Sequence, residues 1–515
     1  MMTPQFVSTP PVVKLVKAFT TPYQNFLATA RTCYSSKGII PDEAIDEQWD
    51  WLAQSLYQAG HHTTLQHAHF QFSLENVSRH FVWSFLHSHP FYNSEQVSQR
   101  YVTVKPGMVA IPPLQGEALA LYQETIAYQM RQYQLLSERL LPLVEHEYCQ
   151  RFPARKPAEK KTRAEIQKKA QEVARYVLPV ATFTYLYHTI SGLSLLRYYR
   201  LCQQYDTPTE QTLVVQKMVD ALLALEPRYS VILEQPLPLE ESPEYQFFQA
   251  HHDGDTAREF IQEFDQSLGG RVSKLTGFKE GSEELLAAAV REVLGLPQSR
   301  LADAEAIALA LNPALNRWLA EPLNSTTHSK LSRCLVHPSY TFRKKISHCA
   351  DSQDQRHRMT PASRPILAGH LTAAPDTITP ALIQRDEAVR AMYDETLDRT
   401  WDAIGRLRTM GVPDEFVQYL LPNAVAIRFS ESGDLLNLRH KYAMRLCYNA
   451  QEEIWRASVD EVQQITALHP RIGNYLLPPC TLRHLAAQRP LCPEGPRYCG
   501  EPVWRLKVDE YQRVI

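Results

Sequence analysis

Two short stretches carry residue types that could bind an anionic ligand. His87 to Val102 reads HSHPFYNSEQVSQRYV and holds a Ser-x-Arg at Ser98 and Arg100. Gln353 to Ser363 reads QDQRHRMTPAS and holds Arg356, His357 and Arg358 after Gln353. Guanidinium forks beside a hydroxyl suit a phosphate monoester or a diphosphate, because they donate several charge-assisted hydrogen bonds in a fixed plane. An Arg-His-Arg triplet alone is more often a surface ion-pair cluster. The two stretches, however, look like eroded copies of one site: the first lacks the arginine cluster and the second lacks the Ser-x-Arg.

The elements that must position these residues recur in the same order. LYQET at Leu121 to Thr125 is answered by MYDET at Met392 to Thr396, VLPVA at Val177 to Ala181 by LLPNA at Leu420 to Ala424, and RLC at Arg200 by RLC at Arg445. Such spacing is too long for a solenoid and fits a duplicated domain. It predicts one domain over 1–245, a second over 270–475 and a Cys- and Pro-rich irregular appendage over 476–515, with Glu234 to Asp255 as linker. Ile45, Trp49, Leu52, Leu56 and Ala59 recur at helical spacing, with Gly60 placed to end the helix. Phe70, Phe72 and Leu74 alternate with polar neighbours as in a half-buried strand, and Tyr340 and Phe342 repeat this in the second half. Asn76 reads as the N-cap of a helix carrying Val77, Phe81 and Phe85 that runs until Pro90. Long helices are predicted over Ala158 to Tyr176 and Arg385 to Met410; their basic runs read as solvated faces. The fold class expected is α/β (α+β), each half a small mixed sheet flanked by long helices.

With 54 Lys and Arg against 56 Asp and Glu, the chain has no global field to attract nucleic acid or an anionic membrane, so any anion site must be local. No stretch approaches the roughly 18 consecutive apolar residues of a membrane span, and Met1 to Val16 lacks a signal-peptide pattern, so a cytoplasmic location is expected. Nine cysteines, an odd number, argue for thiols or metal ligands over a disulfide frame. Cys480, His484, Cys492 and Cys499 are candidate zinc ligands in the appendage. The histidines between His61 and His89 lack a completing carboxylate pattern and are assigned no metal.

On these motifs, together with ARTCYS, GHHTTLQH, ARYVLP and RLCYNAQEEI, the chain resembles the flavin-dependent thymidylate synthases, which carry an RHR followed by a Ser within S-x-R. The resemblance implies two tandem domains of that family, and an activity converting dUMP to dTMP with FAD, methylenetetrahydrofolate and NADPH. It further implies a homodimer equivalent to the family's tetramer. Residue by residue, it implies uridylate binding by Gln353, Arg356, Ser98, Arg100 and Arg175, with Gln418 at the place of Arg175 in the second half. For the RHR wall the first half offers only Ser84 and His87. The resemblance assigns His61, Thr63, Glu95, Arg356, His357 and Arg358 to the flavin. Arg445 is the catalytic candidate, a cation beside the uracil ring; its first-half counterpart is Cys202 by counting, or Arg200 if two residues are deleted. The family's flavin-holding N-x-R reads Ser191 and Leu193 in one half and Asp434 and Leu436 in the other. One half keeps one wall of the site and the other the facing wall, which implies composite sites between the halves. A non-catalytic pyrimidine-nucleotide sensor or scaffold, or a flavoenzyme acting on another pyrimidine nucleotide, is the alternative.

Overall fold

The computed structural model describes residues 5–86, 89–152, 156–204, 206–251, 254–513 and 515; His87 lies outside them. Two four-stranded antiparallel sheets are present among these residues. The first runs β1 (Val12–Ala18), β2 (His69–Ser78), β4 (Phe183–Ser191), β3 (Tyr92–Gln96) in spatial order, and the second runs β5 (Ser273–Phe278), β6 (Ser339–Ser347), β8 (Ala426–Asp434), β7 (Ala362–Ser363). Each β2-type strand buries every second side chain, Phe70, Phe72 and Leu74 in one half and Tyr340, Phe342 and Lys344 in the other, as the period of an extended chain requires. The chain is mixed α and β in two repeats, as the sequence indicates.

Local chemistry explains where elements begin. The Asp50–Gln58 helix ends before Gly60, whose φ of 75° needs glycine's freedom. Asn76 is not the cap expected of it: β2 continues to Ser78, and Asn76 sits at φ 55° where the β2–β4 register shifts. The Ser78 hydroxyl accepts from the Phe81 amide at 2.9 Å, one turn into the Arg79–Leu86 helix. An extra residue in this strand relative to β6 displaced the signal. The expected long helices span Lys160–Ala174 and Glu387–Thr409. The expected linker is helical over Pro243–His251, and the following Gly254–Leu268 helix packs under the second sheet, its Asp265 pairing with Arg428 and Lys345. The terminal segment forms the Pro479–Leu485 helix and buries Leu476, Leu482, Val503 and Tyr511; these apolar side chains give it packing that its Pro content concealed.

The halves meet through the Leu-Pro turns in a reciprocal pattern. Val180 N–H donates to Leu421 O at 2.8 Å and Asn423 N–H to Leu178 O at 2.8 Å, while Ala181 N–H donates to Tyr419 O at 3.0 Å and Ala424 N–H to Tyr176 O at 2.8 Å. Each bond has its equivalent with the halves exchanged, the mark of an isologous interface, here within one chain. The Gly116–Arg151 helix, through Tyr122 and Tyr133, and the Glu387–Thr409 helix, through Tyr393 and Trp401, share one apolar core across this seam.

Candidate functional site

Beyond β3 the chain turns sharply. Ser98 O accepts the amides of Tyr101 and Val102 at 3.2 and 3.0 Å, and the Ser98 hydroxyl accepts the Arg100 amide at 3.2 Å. Arg79 holds the approach by donating to Gln96 Oε1 at 3.2 Å and Val97 O at 2.5 Å. Arg100 thereby reaches across to the second half, donating to Asn449 O at 2.7 Å and pairing with Glu172. Burial works against charge on Glu172, yet Arg100 and Lys169 hold it well below the usual carboxylate range.

The facing wall begins at the short His348–Asp354 helix, whose N-cap Ser347 accepts the Ala350 amide. The chain then folds back so that the His357 amide donates to Asp354 O at 3.0 Å and the Thr360 amide to His357 O at 3.0 Å. Arg445, at the end of the Leu435–Arg445 helix, donates through Nε to His357 Nε2 at 2.8 Å and through Nη2 to Gln353 O at 2.7 Å. Burial and the Arg445 and Lys441 charges hold His357 well below its ordinary pKa, so it is neutral, with its proton on Nδ1. Burial, with Arg100 and Arg356 nearby, pulls Arg445 down to about 10 against the pull of Asp354. Three guanidinium groups that repel one another at one place form a local field suited to a multiply charged anion.

These walls enclose a cavity of about 540 Å³, lined by Ser98 and Arg100 from the first half and by Gln353, Arg356, His357, Arg358 and Arg445 from the second. A neighbouring cavity of about 250 Å³ shares Arg356 and Arg358 and is lined also by Glu95, Asn93, Gln71 and Tyr187. Arg356 donates to Glu95 at 2.6 Å, and Arg358 to Asn93 Oδ1 and Pro90 O, both at 3.1 Å.

Other expected site residues lie elsewhere. Arg175 is only 4% exposed and lies behind the large cavity, donating to Gln451 Oε1 at 2.7 Å; Gln353 donates to the same oxygen. Gln418 is buried and faces His80 at 3.1 Å. His61 and Thr63 flank the start of a short turn after Gly60 and line neither cavity. Ser191 and Asp434 are helix N-caps, accepting from the Ser194 and Asn437 amides at 3.3 and 2.9 Å, and Leu193 is buried in the core. The expected zinc set is not assembled. Cys480, Cys492 and Cys499 wall a cavity of about 20 Å³ with Cys447 in place of His484, and among the described residues no group of three or more His, Cys, Asp or Glu could hold a metal ion. Sequence reasoning missed Glu172, Asn449, Thr360 and Lys441, which support the cavity. No motif spacing marks them; the folded strands and helices bring them in.

The family model described as thymidylate synthase complementing protein matches residues 14–228 and again 274–471. The chain belongs to this family. A flavin-dependent thymidylate synthase of Clostridium tetani is 28% identical over 193 residues, 36% of this chain and 72% of that protein. One from Sulfurisphaera tokodaii is 30% identical over 156 residues, 29% of this chain and 58% of that protein. Among solved structures, the UMP/dUMP methylase PolB of Streptomyces cacaoi, bound with 5-Br dUMP, aligns over 44% of this chain and 96% of its own at 18% identity and a TM-score of 0.31.

Among the described residues, the duplication does not repeat the cationic lining of the large cavity. The N-cap bonds of Ser191 and Asp434 fix the correspondence of the following helices, and at one offset Arg445 falls on Cys202, which is fully buried. Arg200 is turned away, paired with Glu234 at 3.3 Å. Carried on from the strand pairing, Ile366 and Ala368 correspond to Ser98 and Arg100 in the repeat, and the Ser78 and Ser347 caps set His87, outside the described residues, at the place of Arg356. Among the described residues no helix is long and apolar enough to cross a membrane.

Proposed function

We propose that this chain methylates dUMP to dTMP, using methylenetetrahydrofolate and, through FAD, hydride from NADPH, in a composite site formed by its two halves. The observation that carries this reading is the cavity in which Ser98 and Arg100 face Arg356 and Arg445. Ser98, Arg100 and Arg356 hold the nucleotide phosphate, supplying the orientation that makes transfer effectively unimolecular. Arg445, fixed by His357 and the Gln353 carbonyl, presents a partly desolvated cation where negative charge grows on the uracil ring as its C5 becomes nucleophilic. Neutral His357 keeps Arg445 oriented without adding a competing charge. Arg175 acts behind the site through Gln451.

Arg356 and Arg358 with the polar lining of the second cavity suit the anionic part of FAD, which when bound supplies the hydride that completes the methyl group. His61 and Thr63 do not reach that cavity within one chain. A homodimer equivalent to the family's tetramer is the arrangement that would bring them there.

The test is direct. Purified protein should be yellow and should release tritium from dUMP labelled at C5 when given methylenetetrahydrofolate and NADPH. Arg445→Ala should abolish release while dUMP still binds. A colourless protein that releases no tritium rejects the reading. The absent N-x-R side chains favour a second one, a non-catalytic pyrimidine-nucleotide sensor; calorimetric dUMP binding with neither flavin nor turnover would select it.

A further inference from the structure

Behind the Arg356–Arg358 turn lies a buried group of five charges. Lys344, Asp354, Glu431, Lys441 and Glu461 are each no more than 2% exposed. Lys344 Nζ lies 3.3 Å from Asp354 and 2.8 Å from Glu461 and also pairs with Glu431; Lys441 Nζ lies 2.8 Å from Asp354 and 2.5 Å from Glu431. Removing five charges from water is costly, and well-packed apolar side chains often replace such groups without loss of stability.

The other half of this chain shows that the fold does not need them. β2 and β6 align on their buried alternation, the helices that follow them on the Ser78 and Ser347 caps, β4 and β8 on their shared pairing, and the helices that follow on the Ser191 and Asp434 caps. Lys344, Asp354, Glu431, Lys441 and Glu461 then correspond to Leu74, Phe85, His188, Tyr198 and Met218. Those five are buried too, with Phe85 and Tyr198 rings 4.3 Å apart and Phe85 and His188 rings 5.1 Å apart. One fold thus fills the same space with charges in the half that carries Arg356 and Arg358 and with largely apolar groups in the half whose sequence has no arginine there.

The charged group reaches the cationic cavity at three points. Asp354 O accepts the His357 amide, at the start of the turn. The Thr360 hydroxyl bridges His357 O at 2.9 Å and Glu431 Oε1 at 2.5 Å, at its end. Lys441 lies one helical turn before Arg445 on the same helix. We propose that Lys344, Asp354, Glu431, Lys441 and Glu461, with Thr360, form a positioning network that sets the Arg356–Arg358 turn against Arg445. The network deepens the nucleotide-site reading and rests on it for its purpose, though not for its effect on the turn.

The decisive variant gives this half the other half's residues: Lys344→Leu, Asp354→Phe, Glu431→His, Lys441→Tyr and Glu461→Met together. Full-length protein should still melt cooperatively, while in hydrogen exchange without ligand the His357 and Thr360 amides exchange at least ten-fold faster and the β6 and β8 amides stay protected. Its dUMP affinity should fall at least ten-fold. Unchanged turn protection in a folded variant overturns the proposal. Should the exchange fail to fold, Thr360→Val decides: it should speed exchange in the turn and weaken dUMP binding, Thr360→Ser should restore both, and an unaltered Thr360→Val protein overturns the proposal. If the unaltered protein does not bind dUMP, the functional reading fails, and the exchange rates still decide on the network.

Discussion

The Tyr176 hydroxyl, from the first half, donates a 2.5 Å hydrogen bond to Glu453 in the second. The relationship is repeated with the halves exchanged, since Tyr419 donates to Glu210 at 2.6 Å. Each carboxylate also takes a serine hydroxyl at 2.6 Å, Glu453 from Ser347 and Glu210 from Ser78. A buried carboxylate is costly unless hydrogen-bonded, so each half depends on a tyrosine of the other. Tyr176→Phe should therefore lower unfolding free energy by about 2 kcal/mol, the scale of a hydrogen bond to a charged group. Tyr419→Phe should cost a similar amount, and urea unfolding checks both. A loss confined to one of the two would show that the halves are not held together symmetrically.

Arg100 and Arg356 line one cavity in one chain, which predicts the result of a mixing experiment. Arg100→Ala and Arg356→Ala should each weaken dUMP binding about 10- to 100-fold, the loss of a charge-assisted contact. Mixing the two variants, even after unfolding and refolding together, should restore nothing, because every cavity still lacks one wall. Recovery of binding in the mixture, read by calorimetry, would place the two walls on different chains.

Much of this arrangement was legible in residue order. Alternation in β2 and β6 gave the strands, and it also placed Lys344 on the buried face with Tyr340 and Phe342, a signal easily passed over because lysine is expected outside. The Ser-x-Arg and Arg-His-Arg segments named both walls by residue type. What spacing could not show is what three-dimensional packing supplies. Glu172 meets Arg100 only when the Lys160–Ala174 helix comes against the turn that follows β3, and Cys447 replaces His484 beside Cys480 because the terminal segment packs back on the core. Asn76 misled because a one-residue bulge moves the cap to Ser78, and a bulge leaves little trace in a hydrophobic pattern.

Glu415 offers a test of the seam between the halves by pH. Its carboxylate accepts the Thr209 amide at 2.7 Å, and burial raises it to about 7 despite that bond, with Glu210 adding a further push. In the unfolded chain the same group titrates near ~4.3. Between these values the folded protein holds the proton and the unfolded chain has lost it, so the contribution of Glu415 to stability declines as pH rises from about 4.3 to about 7 and is constant above. Gln at this position keeps an acceptor for the Thr209 amide and does not titrate. Glu415→Gln should consequently match the unaltered protein near pH 4.5 and exceed it by about 3 kcal/mol at pH 8, as read from urea unfolding at both. An advantage that is equal at the two pH values would mean that Glu415 is ionised in the fold throughout, with its charge compensated at the interface between the halves.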